Sequence, residues 1–145
     1  MNRKGFTLIE LLVVIAIIGL LSTLAVVALG SARQKANDAK RLSDIKQIQT
    51  ALELYYTDNN LYPDAATAVN LGDANHICLN SASGFTTTGC TNAYMGLVPR
   101  GPVNGEYYTY TGNTTTYTIT ATLQAGAGGF NAGGISATPS GMTQP

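Results

Sequence analysis

Residues 1–30 read MNRKGFTLIELLVVIAIIGLLSTLAVVALG, and this stretch decides how the remainder of the chain is organised. Leu11 to Gly30 contains no charged side chain. A helix of about 20 apolar residues, at about 1.5 Å each, is long enough to cross a bilayer. Arg3 and Lys4 stand immediately before it, a placement that keeps an N-terminus in the cytoplasm. Arg33, Lys35, Lys40 and Arg41 follow the span closely, so a count of basic residues does not by itself settle the orientation. Three uses compete: a cleaved secretory signal, a permanent single-span anchor, and a helix retained for assembly. A small-residue site at Gly30-Ser31-Ala32 serves the first. Against it, the apolar run exceeds the roughly 7–15 residues such a signal needs.

Glu10 separates the three. A charge inside a membrane helix costs on the order of 3 kcal/mol, less near an end. The residues three and four positions away are Phe6, Thr7, Val13 and Val14, none of them basic. In a solitary anchor the carboxylate would have to snorkel or take up a proton. A cut between Gly5 and Phe6 changes this, because it creates an α-amino group about one helical turn from Glu10. The Glu10 of one subunit would then neutralise the Phe6 amine of a neighbour. A charge pair in a low dielectric is attractive only when matched, so the pair would also fix the stagger between subunits.

Gly5-Phe6-Thr7-Leu8-Ile9-Glu10, after a short basic leader and before an apolar helix, resembles the class III signal of type IV pilins and type II secretion pseudopilins. That resemblance implies cleavage after Gly5 by a membrane prepilin peptidase, N-methylation of Phe6, and a role for Glu10 in assembly. It implies a segment that first anchors the subunit in the cytoplasmic membrane, N-terminus inside, and later forms the core of an extracellular or periplasmic filament. Many pilins carry a proline near the position of Val27. This chain has none before Pro63, so the unwound stretch associated with that proline is not expected.

Beyond the span, Leu42, Ile45, Ile48, Leu52 and Tyr55 recur at spacings of three or four, one apolar stripe on an amphipathic helix. Arg33, Lys40, Asp44 and Gln47 form its polar face, with Lys40 and Asp44 set for an i,i+4 pair. Nothing breaks the pattern across 6–59, so a single helix is expected. Asp58-Asn59-Asn60 is its stop, since Asn tolerates the left-handed conformation that ends helices. Residues 60–92 read as a long polar loop. Cys78 and Cys90 lie in it, and in an oxidising compartment they would close one disulfide, worth about 3 kcal/mol by loop entropy. In a reducing compartment they would be two thiols; export of this part of the chain favours the disulfide.

Ala93–Val98 is a short candidate strand. Tyr107–Thr111 and Thr114–Leu123 form a hairpin about Gly112-Asn113. In the second strand Tyr117, Ile119, Ala121 and Leu123 alternate with Thr118, Thr120 and Thr122, which puts one face on the helix. Residues 125–145, rich in Gly, Ala, Ser and Thr, read as a flexible tail. The expected fold is therefore α+β. A long N-terminal helix, membrane-spanning in its first half and amphipathic in its second, packs on a small C-terminal antiparallel sheet. The same order of parts is the pilin fold, and Ile45-Lys46-Gln47-Ile48, Leu61-Tyr62-Pro63 and Pro102-Val103-Asn104-Gly105 also resemble major pseudopilins. The expected divisions are a leader at 1–5, a transmembrane and filament-core helix at 6–30, and an extracytoplasmic domain at 31–145. Within that domain lie the helix at 31–59, the loop at 60–92, the sheet at 93–124 and the tail at 125–145.

Composition narrows the function classes. The chain has 145 residues, 8 basic and 8 acidic, and only 11% charged, so no electrostatic stripe indicates a nucleic-acid partner. His76 is the single histidine, and with Cys78 it supplies two metal ligands where structural zinc takes about four. Major pseudopilins usually bind calcium through acidic residues in C-terminal loops, but this chain has no Asp or Glu after Glu106. No cofactor, metal site or catalytic constellation is expected. The expected role is a non-enzymatic, self-associating filament subunit of a pilus or, alternatively, a pseudopilin of a secretion or DNA-uptake machine. Its partners, by resemblance, are further copies of itself, the prepilin peptidase, an assembly ATPase and an inner-membrane platform. A solitary membrane-anchored binding domain, or a small enzyme released after Ala32, explains Glu10 less well.

Overall fold

The computed structural model describes residues 5–145; Arg3, Lys4 and the rest of the expected leader before Gly5 lie outside the described residues. The first element, α1, runs Leu8–Asn59. No proline interrupts it, and Gly19 and Gly30 are absorbed without a break. The chain divides into two compact units, one ending at Gln34 and one running Lys35–Pro145.

In the first unit the described apolar side chains have no internal packing. Leu12, Ile15, Leu21 and Val27 are all exposed, and no residue of the candidate membrane-spanning window is buried. In the second unit the stripe on α1 does what its spacing predicts. Ile45, Ile48 and Leu52 are completely buried and Tyr55 nearly so. Burying each aliphatic side chain of this kind contributes about 1.5–3 kcal/mol.

Their partners come from eight strands: β1 (Ala65–Leu71), β2 (Cys78–Asn80), β3 (Gly84–Thr86), β4 (Ala93–Met95), β5 (Tyr108–Gly112), β6 (Tyr117–Leu123), β7 (Gly133–Thr138) and β8 (Gly141–Thr143). Five of them form an antiparallel sheet in the order β1-β5-β6-β7-β8, and three form a small sheet in the order β3-β2-β4. Register places Val69, Tyr110, Ile119, Ala137 and Met142 in one row across the large sheet. That row faces α1 in the core. One position along, Thr109, Thr120, Ser136 and Thr143 make a second row that points away from it, as strand alternation requires.

The expected β5–β6 hairpin forms, but Gly112 pairs with Tyr117 inside it, and β6 begins at Tyr117 rather than at Thr114. Its turn is the four-residue segment Asn113–Thr116, whose Asn113 side chain accepts the backbone N–H groups of Thr115 and Thr116 at 2.9 Å. Asn60 ends α1 at φ 55°, the single non-glycine residue with positive φ among those described.

Other expectations fail. The polar loop at 60–92 contains β1, β2 and β3. Ala65–Leu71 (AATAVNL) lacks strict alternation because β1 is an edge strand with a register shift between Ala65 and Val69. An edge strand needs few apolar contacts, and here Val69 and Leu71 supply them. The segment at 125–145 is not a loose tail either: β7 buries Ile135 and Ala137, and β8 pairs with it. The glycines around Ile135-Ser136-Ala137 dilute the composition of this strand without removing its period of two. The sheet therefore extends beyond both limits of 93–124. Asp44 also departs from expectation, since it is 6% exposed and faces the interior rather than the polar face.

Candidate functional site

The expected site residues of the first unit sit at the start of α1. Gly5 and Phe6 precede the helix in extended or irregular backbone, and both are exposed. Thr7 is the last residue before the helix and Glu10 lies in its first turn. The Thr7 backbone N–H and hydroxyl both donate to Glu10 Oε2, at 2.8 and 2.7 Å, and the Glu10 N–H returns to Thr7 Oγ1 at 3.4 Å. This reciprocal arrangement satisfies N–H groups that every helix start leaves without partners. It also places a negative charge at the positive end of the helix dipole. Glu10 Oε1 accepts no hydrogen bond from the described residues. Phe6, Ile9, Val13 and Val14 surround the carboxylate and form a shallow apolar depression of about 360 Å³.

The local sequence thus gives Glu10 a partner, Thr7, although no basic residue stands three or four positions away. Thr7-Leu8-Ile9-Glu10 carries the Ser/Thr-x-x-Glu/Gln signature of a helix start, so the signal was present in the sequence. Among the described residues nothing offers the carboxylate a cation.

In the second unit, Cys78 and Cys90 are joined, with Cα atoms 5.8 Å apart. The bridge ties the start of β2 to the short 3-10 turn Cys90–Asn92 that leads into β4, stapling the small sheet. His76 does not join Cys78; its Nδ1 lies 2.8 Å from Asp73 Oδ1 within a tight turn. Among the described residues no group of three or more His, Cys, Asp and Glu side chains is placed to hold a metal ion.

The dominant polar feature of this unit was not anticipated. Arg41 is 1% exposed, and its Nε and Nη2 donate to the two oxygens of Glu106 at 2.6 and 2.8 Å. Its Nη1 donates to Asp38 Oδ1 at 2.6 Å. Asp38 in turn accepts the backbone N–H groups of Gln124, Ala125 and Gly126, at 2.9, 2.6 and 2.8 Å. Gly126 is required here: its φ is +84°, and a Cβ would meet the Phe130 carbonyl. Nearby, Tyr108 donates to Asp44 at 2.7 Å, while Lys40 bridges Asp44 at 2.8 Å and the Arg100 carbonyl at 3.2 Å.

Burial by itself would raise the Asp38 carboxyl, but the three backbone donors and Arg41 hold it below the usual carboxylate range. The Arg41 guanidinium does the same for Glu106 against the opposing effect of burial. The clasp fastens α1 to the turn before β5 and to the connection after β6. It is an ion-paired latch between these segments.

Comparison with known proteins adds to the geometry. The family described as the prokaryotic N-terminal methylation motif matches residues 1–30, and the family described as type II secretion system (T2SS), protein G matches residues 28–134. A type II secretion system core protein G from Klebsiella michiganensis is 32% identical over 106 residues, covering 73% of this chain and 72% of that protein. Another from Pectobacterium carotovorum is 46% identical over 62 residues, covering 43% of this chain and 40% of its own length. A type IV wide pilus major component from Thermus thermophilus is 43% identical over 72 residues, covering 49% and 55%. For several of the relatives the matched part spans only about two fifths of their length. No solved structure matches.

Proposed function

The chain belongs to the type II secretion system protein G family, and on that premise we propose that it is a non-enzymatic filament subunit. Its precursor is cut after Gly5 and its mature N-terminus, Phe6, is methylated. It is held in the cytoplasmic membrane by the apolar part of α1 and then polymerises through that same segment. The observation that carries the reading is Glu10, a carboxylate inside an otherwise apolar and wholly exposed helical surface. One of its oxygens is taken by Thr7, and the other has no partner among the described residues. A second copy's Phe6 amine supplies the missing cation, at a depth one helical turn away. The partners follow from this: other copies, the peptidase that makes the amine, and an ATPase and membrane platform that drive extraction.

Within this reading the protein is a pseudopilin of a secretion machine, since the protein G family covers most of the chain. The similarity to a wide-pilus major component over 72 residues favours a surface pilus as the second reading.

The test is intact mass and N-terminal sequencing of the protein from its native envelope. A chain starting at Phe6 with one added methyl group is the expected result. A start at Met1 would leave only a plain anchor, and a start at Arg33 would end the filament reading. Filaments sheared from the cell surface, with secretion unaffected by deletion of the gene, would replace the secretion form by the pilus form.

A further inference from the structure

Four basic side chains follow the apolar span within eleven residues: Arg33, Lys35, Lys40 and Arg41. The structure divides them into two pairs. Lys40 and Arg41 are committed internally, Lys40 to Asp44 and the Arg100 carbonyl, Arg41 to Asp38 and Glu106. Arg33 and Lys35 are exposed and make no ion pair or side-chain hydrogen bond among the described residues.

Helix geometry fixes where the second pair falls. Leu11–Gly30 spans about 30 Å at about 1.5 Å per residue, the thickness of a bilayer's hydrocarbon core. Arg33 and Lys35 then lie about 5 and 8 Å beyond its edge, within the headgroup layer of about 5–8 Å on that side. Two residues apart on a helix they point to nearly opposite sides, so they reach different lipids. Lys46, also exposed, lies about 24 Å beyond the edge and outside that layer.

We propose that Arg33 and Lys35 form a headgroup anchor that binds the phosphates of anionic phospholipids in the extracytoplasmic leaflet, setting the depth at which the unassembled subunit is held. The inference rests on the membrane-inserted reading above and adds its ligand, an anionic lipid phosphate. Charge complementarity carries it: two unpaired cations, continuous with an apolar span, at the depth of a layer of phosphate monoanions. Each such cation near an anionic surface is worth up to about fivefold in lipid preference. The anchor also gives extraction a defined step, because both contacts must be released before the helix leaves the bilayer.

The test uses the full-length chain in phosphatidylcholine vesicles carrying a trace of spin-labelled phosphatidylglycerol or, separately, spin-labelled phosphatidylcholine. The motionally restricted fraction of each label gives the lipid preference. Wild type is expected to prefer phosphatidylglycerol. Arg33→Gln and Lys35→Gln each lower that preference by up to about fivefold, and the double variant lowers it further. Gln is a good helix former at exposed positions, so these variants keep their helix, which circular dichroism checks. Arg3 and Lys4 are constant throughout, so the difference between variants reports Arg33 and Lys35 alone. Lys46→Gln should leave the preference where it was. An unchanged preference in the double variant, or an equal loss in Lys46→Gln, overturns the anchor and leaves the filament reading standing. Failure of the wild-type chain to float with the vesicles overturns both.

Discussion

Ile15, Leu21 and Val27 leave more than half of their surfaces exposed, whereas Ile45, Ile48 and Leu52, further along the same α1, are completely buried. Both sets are helical and aliphatic. What separates them is where their partners lie. The second set finds partners within the chain, in Tyr108, Tyr110, Ile119 and Ile135 of the sheet. The first set has none there among the described residues; in the function proposed above its partners are lipid and then other copies of the helix. The polar groups follow the same division. Each of the three guanidinium nitrogens of Arg41 donates to Asp38 or Glu106, while Glu10, among the described residues, has one oxygen bonded to Thr7 and one without a partner. A region with a closed ledger of contacts tells how the protein is stable, and a region with an open one tells what it does.

The largest effect should come from closing the open side of this comparison. Glu10→Ala removes the carboxylate and leaves the amine of a neighbouring subunit unpaired in a low dielectric, which costs about 3–5 kcal/mol. Filament incorporation should fall by about 100-fold to several thousand-fold, while cleavage after Gly5 and the melting of residues 35–145 remain as in wild type. Quantifying sheared filaments and the N-terminus in the same cells reads both. Filaments at normal yield would show that Glu10 is a passive member of the helix start.

Arg41→Ala should do the reverse. It takes the cation from buried Asp38 and half-buried Glu106 and is expected to destabilise the second unit by about 3 kcal/mol, measured by denaturant unfolding of the detergent-solubilised chain. Membrane insertion should be unchanged. The same clasp sets a pH dependence. The Asp38 and Glu106 carboxyls are held below their usual range, so the folded state binds fewer protons than the unfolded one. Their stabilising contribution is complete above the unfolded carboxylate values of about 4. It is lost as pH falls through the lower folded values. Wild type should therefore lose stability on acidification below about pH 4, and Arg41→Ala should lose less over the same interval. A flat acid limb in wild type would mean that the clasp is not a source of stability.

The division also explains what could be read from the sequence. The stripe on α1, the stop at Asn60, the β5–β6 hairpin and the paired cysteines each follow from local chemistry and spacing. β1 and β7 were hidden because Ala, Thr and Gly carry little hydrophobic contrast; Ile135 and Ala137 alternate correctly but stand among glycines. The clasp was hidden for another reason. Asp38 and Arg41 look like an ordinary surface pair three residues apart, and Glu106 lies 65 residues from Arg41. Only the packing of the turn before β5 onto α1 makes them buried partners. At the N-terminus the reverse holds: the whole motif is local, and the partner of Glu10 is the hydroxyl and N–H of Thr7, a helix-start signature rather than a charge pair.

A smaller effect is expected from the disulfide. Replacing Cys78 and Cys90 together by Ser should cost the second unit about 3 kcal/mol or less, since the bridge closes a loop of twelve positions. The small sheet should loosen first, with faster amide exchange at Leu79 and Met95 than at Ile119. Equal acceleration at all three would mean that the two sheets open as one.

Thr7→Val is the smallest and the most discriminating change. Val keeps the size of the side chain and the backbone N–H but removes the hydroxyl, and with it one donor to Glu10 Oε2 and the acceptor for the Glu10 N–H. Loss of such a cap costs a helix about 1 kcal/mol. If Thr7 serves only the helix, the consequence is confined to fraying of the first turn and filament yield hardly moves. If Thr7 also orients Glu10 so that Oε1 faces the incoming amine, yield should fall several-fold, still far short of Glu10→Ala. Thr7→Ser, which keeps the hydroxyl, should restore it. Both kinds of contact occur in this one residue pair of the first unit: a closed one, the bond from Thr7, holds an open one in place.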